Sequence, residues 1–325
     1  MSSQLTSALR DFGLRSRGAE NDHEHQAAND VRPVLAKLWS AVVEPILSSI
    51  DASLYDAMSD GIPHIIWCTT GPLAFLPLHA AGDYRAKAGY IDATDFVVSS
   101  YTPTLAMLLG KSSSLVQTSN SAAGDKVPIV PQPNVPGYSQ LPGVVGEVEI
   151  MRTTHFPGST MLADGDAKVE AVPAAMTQHE WVHLAFRGVQ DLDEPLKSAF
   201  ILTDGRLEVS RLMSHSMRNA QPAVLSACQT VTGDANLPDE AVHLTACMLA
   251  TGFRSVVGTM WSIGDGDAPA VADAFYSNLK TMLEDAGPVV RSQVAYALHD
   301  AVKGLHQSLR QDEFLRWIPF VHFGI

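Results

Sequence analysis

From Pro142 onward the chain alternates two kinds of segment, and this alternation constrains the fold more than any single motif. The stretches GVVGEVEIMR, AKVEAVPAAMTQ, LEVSRLMSHS, DEAVHLTACMLATG, DAPAVADAFYSNLKTML and PVVRSQVAYALHDAVKGLH carry apolar residues at helical spacing. Between them WVHLAF, SAFILTD, PAVLSA and RSVVGTMW are short, apolar and β-branched, as strands are. Strands apolar on both alternating faces must be covered on both faces, and intervening helices make the crossovers parallel. The pattern predicts an α/β fold with a mainly parallel sheet and helices on both faces. In such sheets, ligands and chemistry sit in the crevice beyond the carboxyl ends of the strands.

The first half is less regular. Residues 1–30 are polar and aperiodic and read as a disordered tail. From Val31, the residues Leu35, Leu38, Trp39, Val42 and Val43 share one helical face, and Pro45 predicts a bend in that opening helix. GIPHIIWCTTGPL reads as a short buried strand and DFVVSSYTP as another. The Ser-, Asn-, Gly- and Pro-rich stretch 111–142, with VPIV as a short strand inside it, reads as a loop or inner boundary of a domain spanning 31–325.

Composition narrows the class of partner. With 46% hydrophobic and 18% charged residues in 325, the chain can bury a large core. Its formal charge of −13 disfavours nucleic acid and anionic lipid, which reward basic stripes, and favours a protein or peptide partner. The apolar runs fall short of the ~20 residues that span a bilayer, and the polar start lacks a secretory core. These features place the chain in the cytoplasm or nucleus. Three cysteines without a CxxC pair argue for reduced thiols, and no dinucleotide, P-loop or zinc motif is present, so neither a cofactor nor a metal is expected.

The residues that follow the strands are the candidates for chemistry. Cys228 ends PAVLSAC, where a nucleophile's sulfur would emerge; the plainer alternative is a thiol packed as a small hydrophobe. Cys68 and Cys247 read as packing residues. Arg187 ends WVHLAFR and stands where the base for such a cysteine belongs. A guanidinium can stabilise a thiolate but, staying protonated, cannot shuttle a proton. His183 lies on the same face but ~13 Å back along the strand, and reads as a core histidine. Gly188 allows backbone N–H groups to approach a reacting carbonyl, so its N–H and that of Cys228 could form an oxyanion hole; otherwise it is a turn glycine. In WSIGDGDAP, Asp265 is a candidate for lining a pocket for a basic side chain, and Asp267 for capping the next helix. Two acids alone fall short of a cation loop.

These residues occur within a longer series: CTTGPLAFLPLHAAG, SSYTPTLAML, LPGVVGEV, VHLAFRG, EPLKSAFILTDG, VLSACQT, LPDEAVHLTACMLATGFRSVVGTMWSIGDGDAP, AFYSNL and WIPFVHFG. In this order, from about Val31 to the end, the chain resembles a CHAT domain, and its LPDEAVHL and GTMWSI forms resemble fungal members. The resemblance implies a caspase-like fold, in the clan of caspases and separases, whose dyad is a histidine followed by glycine at one strand end and a cysteine at the end of the next parallel strand. By position Cys228 matches the nucleophile and Gly188 the glycine, while Arg187 replaces the histidine: relatives commonly read HxACHG where this chain reads HLAFRG. The resemblance therefore implies a signalling pseudopeptidase that binds a polypeptide. The alternative is an active cysteine endopeptidase with a substitute base, such as His183 or one from 111–142; a third reading is a scaffold in which Cys228 only packs. CHAT domains are often joined to tetratricopeptide repeats, which makes a repeat region of a longer product an implied partner; no such repeat is visible here.

Overall fold

The computed structural model describes residues 31–57, 62–70, 73, 76–84, 90–112, 127–138, 140–189, 191, 194–215, 217, 222–226, 240–261, 263–264, 266–286, 293–310 and 313–325. In chain order the strands are β1 (His64–Trp67), β2 (Gly82–Asp83), β3 (Ile91–Asp92), β4 (Val98–Tyr101), β5 (Pro128–Pro131), β6 (Thr160–Met161), β7 (Val182–Ala185), β8 (Gly188–Val189), β9 (Ala199–Leu202), β10 (Gly205–Glu208), β11 (Ala223–Ser226), β12 (Ser255–Thr259) and β13 (Phe320–Gly324). Eight of them form one sheet in the order β1-β4-β13-β12-β11-β7-β5-β6, and β10-β9-β8 form a small second sheet. Neighbours in the large sheet are parallel except β12 and β13. Because β13 runs with β4 but against β12, the carboxyl ends of β5, β7, β11 and β12 share one edge of the sheet. Those of β1, β4 and β13 share the other.

The helices are α1 (31–57), α2 (Leu105–Ser112), α3 (Pro142–Ile150, continued by a π turn Met151–His155), α4 (Ala171–Gln178), α5 (Val209–Met213), α6 (Glu240–Thr251), α7 (Asp267–Ala286), α8 (Gln293–Ser308) and α9 (Phe314–Trp317). In α1 the irregularity predicted at Pro45 is a π turn over Trp39–Val43, in which the Glu44 N–H reaches back to the Trp39 carbonyl. The wider turn relieves the clash of the proline ring with the preceding turn, so the helix continues instead of ending. Leu35, Leu38, Trp39 and Val43 are buried and Val42 is half-buried, which confirms the expected face. Although Val31–Ile50 is long and apolar enough to cross a bilayer by composition, its face Val31, Val34, Leu35 and Leu38 belongs to the core.

Strands β7, β9, β11, β12 and β13 are buried at every residue. Close approach is allowed by missing side chains in two places. A Cβ on Gly258 would lie 2.8 Å from Thr245 Oγ1, so the glycine seats α6 against β12. Gly324 has φ +118° and turns β13 onto the Arg254 carbonyl. VPIV is a strand, as expected, and is fully buried between β6 and β7. Three expectations need correction, those for GIPHIIW, SAFILTD and LEVSRLMSHS. GIPHIIW gives an edge strand with only Trp67 buried, because among the described residues β1 has a neighbour on one side alone. SAFILTD joins the small antiparallel sheet, and the start of LEVSRLMSHS is its partner β10, leaving α5 only five residues. WIPFVHFG, quoted above only as a motif, supplies β13 inside the large sheet.

Candidate functional site

Strands β7 and β11 are parallel neighbours, and their last residues, Ala185 and Ser226, are paired. Arg187 follows two residues after the end of β7, and in sequence residue 228 follows two after the end of β11. Cys228 and Asp265 lie outside the described residues. Arg187 is only 2% exposed, and its guanidinium lies over the Tyr138 ring, 5.6 Å from the centroid. Its carbonyl accepts from the Ile201 N–H at 2.8 Å, which anchors the chain leaving β7 to the small sheet. Phe186, beside it, is buried edge-on against Phe200, with centroids 4.8 Å apart.

Gly188 opens β8 opposite Phe200. Since the Ile201 N–H is bonded to Arg187, the Gly188–Phe200 pair is of the non-hydrogen-bonded kind. The Gly188 N–H therefore points away from β9, off the edge of the small sheet. Gly188 is an extended strand residue, not a turn residue.

Beneath these strand ends is a polar cluster that sequence reasoning missed. Glu147 of α3 is 1% exposed. One carboxylate oxygen accepts from Ser226 Oγ at 2.6 Å, and the other lies 3.2 Å from His183 Nε2. The second contact is close enough for attraction but is not aligned as a hydrogen bond. His183 Nδ1 lies 3.1 Å from the Tyr276 hydroxyl of α7, and the ring is wholly buried. His183 is thus the core histidine that its position predicted. The only available signal for Glu147 was an acid among Val144, Val148 and Met151 on the buried side of α3.

Asp267 does not cap α7 as expected. It is the first residue of that helix, buried, and its carboxylate takes two hydrogen bonds from Arg316, at 2.7 and 3.1 Å. Fork-shaped pairing with a guanidinium satisfies the acid more strongly than a cap would. Cys68 is half-buried, and burial pushes the half-buried Cys247 thiol up to about 11, which keeps it protonated and inert. Among the described residues no group of three or more His, Cys, Asp or Glu is arranged to hold a metal.

The CHAT domain model matches residues 32–325. Among solved structures, the separase of the Saccharomyces cerevisiae separase–securin complex aligns with 82% of the chain at 13% identity and a TM-score of 0.52, and the chain spans 16% of that protein's length. The Arg-specific cysteine proteinase gingipain R of Porphyromonas gingivalis aligns with 91% of the chain and 67% of its own at 8% identity, also with a TM-score of 0.52. At these identities the likeness is one of fold, and it makes the α/β architecture caspase-like. No curated protein matches the chain.

Proposed function

The chain belongs to the CHAT domain family, and we propose that it is a fungal-type pseudopeptidase, a caspase-like domain that holds a polypeptide at the ends of β7 and β11 without cutting it. The observation that carries this reading is Arg187, buried at the strand end where the family has its histidine. A proton must leave the thiol and return to the leaving amine, and a guanidinium does neither. The alternative base His183 is enclosed by Glu147 and Tyr276, with no exposure through which to reach a substrate. In this reading Cys228 remains as a thiolate-prone contact, the outward Gly188 N–H receives a peptide carbonyl, and Asp265 attracts a basic side chain. The ligand is a peptide in the cytoplasm, in a signalling role, with a tetratricopeptide-repeat region of a longer product as a second partner.

The test is hydrolysis of a peptide library by the wild type, by Arg187→His, and by Arg187→His with Cys228→Ala, alongside labelling of Cys228 by a peptide chloromethylketone. Phe186 is kept in the repaired form, because removing its ring, buried against Phe200, costs about 3 kcal/mol or more. We expect labelling without turnover in the wild type. Arg187→His should gain a Cys228-dependent rate of roughly 10² over it, the lower range for a restored general base. Wild-type cleavage equal to that of the repaired form, and dependent on Cys228, would overturn the reading in favour of an active endopeptidase.

A further inference from the structure

On the other half of the sheet, four side chains from four adjacent strands form a continuous hydrogen-bonded line. His64 Nε2 of β1 lies 2.6 Å from Ser100 Oγ of β4. Ser100 Oγ lies 2.6 Å from His322 Nδ1 of β13, and His322 Nε2 lies 2.6 Å from Ser255 Oγ of β12. Ser100, His322 and Ser255 are buried, while His64 is partly exposed on the edge strand. We propose that these residues are a directional proton relay, in which protonation of His64 sets the tautomer of His322 at the seam between β13 and β12. The proposal does not depend on the peptidase-like site.

The argument is a count of protons. Three contacts need three hydrogens, one each. With His64 neutral, all three can point outward: Ser255 O–H donates to His322 Nε2, His322 Nδ1–H to Ser100, and Ser100 O–H to His64 Nε2. Every buried donor then has an acceptor. The opposite direction leaves the Ser255 O–H, buried and with no second side-chain acceptor among the described residues, unsatisfied. The outward direction is therefore the neutral state. When His64 takes a proton from solvent, both its ring nitrogens carry hydrogen and Nε2 must donate to Ser100. Ser100 then turns its O–H to His322 Nδ1, so Nδ1 gives up its proton to solvent and Nε2 takes one up in exchange, leaving the single proton of His322 facing Ser255. One proton has been gained, on His64, and His322 remains neutral.

Among the described residues, few other titratable groups lie around the line. The Tyr296 ring of α8 meets His64 edge-on, with its O–H committed to the Ile62 carbonyl. His79, Tyr101 and His299 line a small cavity together with His322. Burial holds His64 below its ordinary value and His322 down to about 3, so it is His64 that titrates first.

The test is nitrogen-15 NMR of the histidine rings in the intact chain between pH 8 and 4. The expected result is that the Nδ1 and Nε2 shifts of His322 exchange character with the same midpoint as His64 titrates. Ser255→Ala removes the hydroxyl that biases the neutral state, and should raise the His64 midpoint so that its protonation becomes at least about threefold easier. Ser100→Ala should uncouple the two rings. A His322 pattern that stays constant while His64 titrates would overturn the relay. That measurement needs only the wild type, so it decides the question even if a variant fails to fold.

Discussion

The two halves of the large sheet solve the same problem differently. Under β7 and β11, buried polar groups converge on one carboxylate, Glu147, which touches Ser226 and His183. Across β1, β4, β13 and β12, buried polar groups run in a neutral line with no carboxylate in it. A buried charge loses several kcal/mol of hydration and depends on each of its partners, whereas a neutral line loses only one weak bond when a member is removed. The half that carries the peptidase-like strand ends is therefore the more rigidly specified and the less tolerant of change. In the other half no carboxylate takes part in the buried line.

The sharpest way to break this contrast is one substitution in both networks. Ser226→Ala takes a donor from a buried carboxylate and should cost about 3 kcal/mol of unfolding free energy, read by urea denaturation. A cost no larger than that of Ser255→Ala would mean that the Glu147 charge is not what distinguishes the halves.

Acid should separate them next. Burial holds His79 and His299 down to about 4 and His322 to about 3, all on the β1–β4–β13 side. Burial likewise holds His306 of α8 down to about 4. These rings bind protons less readily folded than unfolded, so the stability they confer is complete above the ordinary value of 6.5 and is lost as pH falls toward 4. Asp92, raised by burial to about 6, has the opposite sign, its contribution being lost as pH rises through 6. Burial also holds His64 low and raises Asp300, so five rings stand against two carboxyls and acid is destabilising overall. Hydrogen exchange near pH 4.5 should show the amides of β1, β4 and β13 losing protection before those of β7 and β11; simultaneous loss would show that the halves unfold as one unit.

The smallest effect is expected from Ser255→Ala, which removes one neutral hydrogen bond and should cost about 1 kcal/mol. A loss near 3 kcal/mol would mean that the neutral line is as demanding as the charged cluster.

What the sequence made legible follows from what each signal depends on. The helical period of α7 and α8 and the apolar runs of β7, β11 and β12 are local, and they are present where expected. Arg187 was legible because it interrupts such a run. β13 was not, since FVHFG is short and follows a helix of four residues, and only its placement between β4 and β12 makes it a strand. β10 was hidden for a similar reason: GRLE is exposed at two of its four residues and owes its form to pairing with β9. Glu147 looked like any surface acid on a helix, because its partners Ser226 and His183 are distant in sequence. Asp267 was misread for the same reason, its partner Arg316 being supplied by α9.

The position of β13 also bears on how the chain is made. Among the described residues of the large sheet, β1 and β4 are joined to β12, β11, β7, β5 and β6 only through residues 320–324. A ribosome delivers those residues after all the others in the sheet. Until they emerge, β4 and β12 each present an unpaired edge, the kind of surface that invites mispairing with other chains. Closing the gap then requires contacts such as Phe323 with Tyr101, far apart in sequence and slow to find. While those residues are still to come, β1–β4 and β12–β11–β7–β5–β6 have no strand to join them, so the open edges of the incomplete sheet, more than any surface of the finished fold, are where mispairing has its opportunity.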